Sequence, residues 1–352
     1  MSDSIKSIIN SRTLIKKGGT KTARRPETAI LPLTLKNSLQ TFTTYDELMK
    51  KNFPESEWVI EPLIPQGLTV MSAQPASYKT WLLLDIAIAV ASGDQLFRTF
   101  DTVQGGVLMI DEENSERLLQ QRLKLLSEEP ELPIYFMIEK NFKLDDAQVS
   151  KIIKFCRDKN IKLITFDSLV RIHSSNENDA VQMSEVFSKL KRFTKANLNV
   201  LITHHNRKGG KGENPSQEMR GSSDILAAVD CHISVKRSQE EKTITLTQTK
   251  VRFTEELEPF DLKIIASDEK VNFDYLGTSK FAESKRVKTR TMILEILNDF
   301  TQINQKDIIS NLEIKQFKVN AKTLRKILSS MVSANEISVA AGRGSEILYS
   351  LA

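Results

Sequence analysis

The stretch SAQPASYKTWLLLDIAIAVASG, Ser72–Gly93, decides how the chain is read. GLTVMSA, ending at Ala73, is an apolar β-rich run, QPASY is a turn, and KTWLLLDIAIAVA is a helix with almost no polar face. Strand, tight turn and helix N-terminus are the parts of a phosphate-binding loop, in which backbone N–H groups and the helix dipole meet an anion. In such a loop Lys79 neutralises the outer phosphates and the Thr80 hydroxyl ligates Mg²⁺. The cradle runs through Ala73, Gln74, Pro75, Ala76, Ser77, Tyr78, Lys79 and Thr80. Both customary glycines are absent. Ala73 adds only a methyl, whereas Tyr78 is expected to need ordinary backbone angles and a ring turned away from the phosphates.

Outward from this loop, between Trp58 and Val271, short β-rich runs alternate with helical stretches. GGVLMID, PIYFMI, KLITFD, NVLITHH, DCHISVKR and KTITLTQTK join GLTVMSA as strands, several nearly all apolar, as strands covered on both faces should be. Helices are expected at Thr80–Ala91, Ser115–Leu126, Asp146–Asp158 and Met183–Ala196. That rhythm predicts an α/β domain with a mainly parallel sheet, its last strands able to pair antiparallel across RSQEEK. Ligands in open α/β sheets sit at the carboxyl ends of strands. VLMIDEEN puts Asp111, Glu112 and Glu113 at one such end, LITFDS puts Asp167 and Ser168 at another, and VLITHHNRK puts His204 and His205 at a third. A carboxylate there orients an attacking water, and a second holds the Mg²⁺ shell. Glu112 and Glu113 also read as acidic capping of the helix that follows. The two histidines point to opposite faces of their strand and have no third ligand nearby, which argues against zinc.

Beyond Asn272 the character changes. YLGTSKFAESKRVKTR reads as a linker, followed by three short helices and a hairpin, EISVAAGRGSEILYSL, around a Gly-Arg-Gly turn. This order resembles a winged helix-turn-helix, with Lys322, Arg325 and Lys326 on the polar side of the third helix and Arg343 at the wing tip, set to meet duplex DNA. The same module also suits a protein partner. The expected division is a basic tail at 1–44, an α/β domain carrying the phosphate-binding loop at 45–272, a linker at 273–289 and a winged helix at 290–352.

The formal net charge is +5, with basic ends around an acidic centre, so an anionic polymer is expected to meet the termini and local loops rather than the whole surface. Two cysteines without a CxxC partner exclude a disulfide framework and fit a reducing cytoplasm. No apolar run is long enough for a membrane span, and the N-terminus lacks a signal-peptide core.

The loop, Asp-x-Glu-Asn, the apolar run ending in Asp-Ser, and a polar pair before NRK, in this order, resemble the RecA-type ATPase core. Within it they are most similar to the branch of RepA-like hexameric replicative helicases and related phage and plasmid ATPases. FPESEWVIEPLIPQGLTVMSA is similar to that branch's lead-in strand, and the likeness spans Phe53–Phe260. The resemblance implies ATP and Mg²⁺ as ligands, bound by Lys79, Thr80 and Asp167. It implies Glu113 as the catalytic carboxylate, with Glu112 as the alternative, and His205 as the residue that senses the γ-phosphate. TQTKVRF matches a Lys-x-Arg element that reaches a neighbour's ATP, making Lys250 and Arg252 trans-acting and the assembly a homo-oligomer, a hexamer. The loop Asn206–Asp224, with Arg207, Lys208, Lys211 and Arg220, corresponds to one that lines a central channel and holds single-stranded DNA. The implied activity is a DNA-acting ATP-driven motor of a mobile element, against which stand a nucleotide-controlled DNA-binding regulator and a KaiC-like signalling ATPase.

Overall fold

A computed structural model describes residues 43–52, 58–138, 141–206 and 223–352. The expected tail therefore lies almost wholly outside the described residues, as do Arg207, Lys208, Lys211 and Arg220. The chain divides into two compact units, Met1–Phe53 and Pro54–Ala352. In the first, helix α1 (Tyr45–Met49) is closed by a capping box between Thr44 and Glu47.

The second unit opens with β1 (Trp58–Glu61), β2 (Ile64–Pro65) and, later in the chain, β4 (Asp101–Thr102), which form a small antiparallel sheet. The large sheet takes β3 (Leu68–Ala73), β5 (Gly106–Asp111), β6 (Ile134–Met137), β7 (Ile161–Asp167), β8 (Asn199–His205), β9 (Cys231–Ser238), β10 (Thr243–Val251), β11 (Phe260–Ala266) and β12 (Val271–Thr278). Its order is β12-β11-β10-β9-β3-β8-β7-β5-β6. The strands from β9 to β6 run parallel, and β10, β11 and β12 extend the sheet antiparallel.

Alternation along the strands sorts side chains between two cores. Met71, Val107, Leu163 and Leu201 meet α2 (Lys79–Ser92) and α3 (Glu116–Leu126), whereas Val70, Leu108, Ile164 and Ile202 meet α4 (Asp146–Asp158) and α5 (Ala180–Lys195). Short α6 (Ser223–Ala228) leads into β9. Asp145 and Asp179 accept the first free N–H groups of α4 and α5, which fixes their starts. Gly93, at φ 84°, ends α2 in the left-handed conformation that glycine adopts without strain.

Residues 273–289, expected as a linker, are instead structured. Phe273 is buried in β12, Tyr275 meets Phe100 edge-on and Phe260 at a tilt, and α7 (Lys280–Asp299) begins at its Ser279 cap. The apolar alternation at Val271, Phe273 and Tyr275 continues the sheet, and the Lys/Arg/Glu-rich segment that follows is good helix-forming sequence. After α7 come β13 (Ile303–Asn304), α8 (Gln305–Ile314), α9 (Ala321–Ser333), β14 (Ile337–Ala341) and β15 (Ile347–Leu351), with the three strands paired as β13-β15-β14. Ile296, Leu297, Leu312, Leu324, Leu328 and Tyr349 belong to this segment's own core. None of the described helices is long and apolar enough to cross a membrane.

Candidate nucleotide site

The loop between β3 and α2 carries the first half of the site. Lys79 is buried, and its Nζ donates to the carbonyls of Ala73 (3.3 Å) and Gln74 (3.1 Å). Burial pulls its pKa down, while the charges of Asp167 and Glu113 oppose that shift. Tyr78 departs from expectation, since its backbone is left-handed at φ 66°, ψ 17°. That conformation costs a side-chain-bearing residue roughly 1–2 kcal/mol. The ring supplies the offset: it meets Phe273 edge-on at 6.5 Å, and the Arg237 guanidinium lies 4.7 Å from its centroid. Contacts of these kinds contribute about 0.5–1.5 and 0.5–1 kcal/mol, so the balance is near zero and tyrosine is tolerated where glycine is usual.

The second half comes from the carboxyl ends of β5, β7 and β8. Asp167 is buried between two hydroxyls, accepting from Thr80 Oγ1 at 2.8 Å and from Thr203 Oγ1 at 2.5 Å. Desolvation raises its pKa, and those hydrogen bonds oppose the rise. The Asp167–Ser168 peptide is cis.

The adjacent acids Glu112 and Glu113 separate sharply. Glu112 turns to the 141–142 segment, where its two oxygens accept the backbone N–H groups of Asn141 (3.0 Å) and Phe142 (2.7 Å). Glu113 turns into the site: its Oε1 accepts from Ser168 Oγ at 2.7 Å and lies 3.5 Å from both His205 Nε2 and Arg171 Nε. The hydrogen bond from His205, helped by Ser168 and the Arg171 charge, brings the Glu113 pKa down to about 2 against the opposing effect of burial. Neither acid caps α3, because Ser115 does so and Asp111 accepts the N–H groups of Glu113 and Asn114 before it.

His204 and His205 face opposite sides of β8, as expected. His205 reaches Glu113, whereas buried His204 lies 3.7 Å from Glu177 on the other face. Among the described residues no group of three or more His, Cys, Asp or Glu is arranged to hold a metal ion. Asn206, the next residue, is buried, and among the described residues neither of its amide atoms has a hydrogen-bond partner. Three arginines that sequence reasoning missed complete the surroundings. They are Arg171, Arg237, and Arg122, which donates to Asn114 and stacks over Trp81 at 5.4 Å. Their reach depends on tertiary packing, and no local pattern announces it.

Lys250 and Arg252 lie elsewhere. β3 and β9 run parallel with Ala73 opposite Val235, whereas the end of β10, Val251, pairs with Cys231 at the other end of β9. Lys250 Nζ donates to Leu226 O at 2.6 Å, and Arg252 contacts Ala227 O and Asp230, so both cations sit at the C-terminal end of α6. On α9, Lys322 pairs with Glu256 and Lys326 with Glu255 at 2.8 Å, while Arg325 and, in the β14–β15 turn, Arg343 are exposed.

No curated protein matches the sequence. Solved structures similar to it include an ATPase domain, at 14% identity and a TM-score of 0.47, covering 59% of this chain and 84% of that one, a likeness too low to bear on fold or activity. The AAA domain family matches residues 36–211, half of the chain. That span runs from before the loop strand through His205, and it takes in Lys79, Thr80, Glu113 and Asp167. The chain belongs to the AAA domain family of ATPases.

Proposed function

We propose that the chain is an ATP-hydrolysing, DNA-binding motor of the RecA-like, helicase-related kind, working as a homo-oligomeric ring of six copies. One observation carries the reading: Lys79, Thr80, Asp167 and Glu113 converge at the carboxyl ends of the parallel strands, while Lys250 and Arg252 stand toward the opposite ends. A subunit arranged in this way has half of a hydrolytic site at each end, and the halves meet only between copies.

Thr80 Oγ1 and Asp167 Oδ2 are neighbouring oxygens beside the Lys79 ammonium, a donor set that fits Mg²⁺, which prefers oxygen ligands and keeps several of its waters. Bound there, Mg²⁺ would draw charge from the transferring phosphoryl group. Lys79 exchanges its two carbonyl partners for phosphate oxygens. Glu113, ionised at neutral pH, orients the attacking water, and His205 reports the change along β8 to Asn206 and the basic 207–222 segment. Arg252 of a neighbouring copy would supply the remaining positive charge. The 206–224 segment takes single-stranded DNA through its cations, without base preference. The C-terminal segment, as a winged helix, takes duplex DNA through Lys322, Arg325, Lys326 and Arg343.

A second reading, a nucleotide-controlled DNA-binding regulator without unwinding activity, draws support from the Lys322–Glu256 and Lys326–Glu255 pairs. They engage part of the proposed duplex-binding face, so duplex DNA has to displace two carboxylates. The discriminating experiment is ATP hydrolysis with and without single-stranded DNA. A motor is stimulated by the strand. Hydrolysis indifferent to it favours the regulator, and absent ATP binding refutes both.

A further inference from the structure

Two residues of the loop, Ala76 at φ 59° and Tyr78 at φ 66°, hold left-handed backbone without being glycine. One side chain touches both. Arg237 lies on β9 two residues beyond Val235, the partner of Ala73 at the end of β3. Strand alternation gives Arg237 the same face as Val235, which belongs to the core around α2. Because β3 has already ended at that level, the guanidinium arrives over the loop. Its Nη1 donates to Ala76 O at 3.1 Å, and its plane covers the Tyr78 ring at 4.7 Å. A planar fork donates and stacks at once, which a lysine ammonium does not do in the same way.

We infer that Arg237 is a positioning residue of the nucleotide site, which clamps the glycine-free loop by holding its two left-handed residues in place. The functional consequence rests on the nucleotide reading above, whereas the clamp itself is a property of the free protein. The guanidinium stands in for the conformational ease that glycines at these positions would give, at the cost of making loop shape depend on a residue more than 150 positions away in sequence. Three alternatives make different demands. A solvated surface cation has no effect on the loop, a direct phosphate ligand needs only its charge, and a clamp needs both contacts and a loop that requires holding.

The test uses full-length Arg237→Ala, Arg237→Lys, Tyr78→Gly and the Tyr78→Gly/Arg237→Ala pair. ATP with Mg²⁺ is titrated by calorimetry, and amide exchange of residues 74–79 is followed without nucleotide. Arg237→Ala and Arg237→Lys are each expected to weaken ATP about tenfold, from one hydrogen bond and one cation–π contact, and to speed exchange in the loop. In the Tyr78→Gly background the further Arg237→Ala change should cost no more than about threefold, because glycine needs no holding. Equal losses in both backgrounds, full retention of ATP affinity by Arg237→Lys, or unchanged loop exchange in Arg237→Ala would each overturn the clamp. Were wild type to bind no ATP, the nucleotide reading would fall by itself, and the exchange rates would still decide for or against the clamp.

Discussion

Replacing Glu113 and Glu112 one at a time by glutamine separates chemistry from architecture within two adjacent residues. Glu113→Gln keeps an oxygen to accept from Ser168 but loses the charge beside His205 and Arg171. A pKa of about 2 against the ordinary 4.5 means that this charge also contributes to folding at neutral pH, up to about 3 kcal/mol before solvent screening, so some stability is lost with it. The lost function is the positioning of the attacking water, worth about 10²–10⁴ in rate, or roughly 3–5 kcal/mol of barrier. Glu112→Gln does the reverse. One of the two oxygens that accept Asn141 and Phe142 N–H becomes an NH₂ facing a donor, and charge-assisted hydrogen bonds of this sort carry about 1.5–3 kcal/mol. The assay pairs steady-state ATP turnover with ATP binding and a thermal melt. Glu113→Gln should bind ATP and turn over at least a hundredfold more slowly even where its melt is only modestly earlier, whereas Glu112→Gln should melt earlier and keep most of its turnover. The assignment is wrong if Glu112→Gln silences turnover at an unchanged melting temperature while Glu113→Gln remains active.

Three further outcomes are expected. Arg252→Ala and Lys79→Ala proteins, each inactive alone, should regain part of their hydrolysis when mixed into shared oligomers, and mixed oligomers that form yet stay silent would refute a trans arginine. Asp85, on the half-buried side of α2, has its carboxyl pKa pushed up to about 7 by burial. Ionisation therefore opposes folding increasingly as pH rises from about 4 to 7, and Asp85→Asn should stabilise by up to about 4 kcal/mol at pH 8 but only about a third of that at pH 5; equal gains in melts at both pH values would contradict this. The double change Glu255→Gln, Glu256→Gln should raise duplex-DNA affinity about threefold to tenfold at low salt by releasing Lys322 and Lys326, and an unaltered affinity would remove these lysines from the duplex-binding face.

The strands buried on both faces were legible because their sequences are nearly continuous apolar runs, and the loop was legible because Lys79 and Thr80 open a helix directly after one of them. β11 and β12 were not. FDLKIIA and VNFDYLGT mix buried Phe260, Leu262 and Phe273 with more exposed positions, so the first stays unassigned and most of the second reads as linker until the sheet edge offers them a partner. The candidate site followed the same division. Asp167 and His205 could be put at strand ends because strand ends are places that sequence marks. Glu112 could not be ranked against Glu113, since only the 141–142 segment, almost 30 residues downstream, draws one of them away. Tyr78 marks the limit on the other side: its identity argued for ordinary backbone angles, and contacts from β9 and β12 overrode that local preference.

The sheet also keeps Arg252 of one copy away from its own Lys79, Asp167 and Glu113. Arg252 N donates to Asp230 O, and Asp230 N donates to Leu68 O, so Arg252 stands level with the first residue of β3, five residues before Ala73. At about 3.3 Å per residue that is on the order of 16 Å along the strand, before the sideways offset of two strands is added. No arginine side chain spans this distance, and rotamer changes do not shorten it, because β3, β9 and β10 are hydrogen-bonded along their lengths. The direction in which Lys250 and Arg252 leave the sheet is set by a bulge at Thr249, an extra residue between the Gln248–Ile233 and Lys250–His232 pairs. Thr249 Oγ1 lies 2.5 Å from Nδ1 of buried His232, whose Nε2 lies 2.9 Å from Ser72 Oγ, one residue before the loop begins. Burial holds the His232 pKa near 4, so the ring is neutral and bridges the two hydroxyls without a charge to solvate. One uncharged imidazole therefore hydrogen-bonds both to the strand that ends in the candidate loop and to the bulge that precedes Lys250 and Arg252.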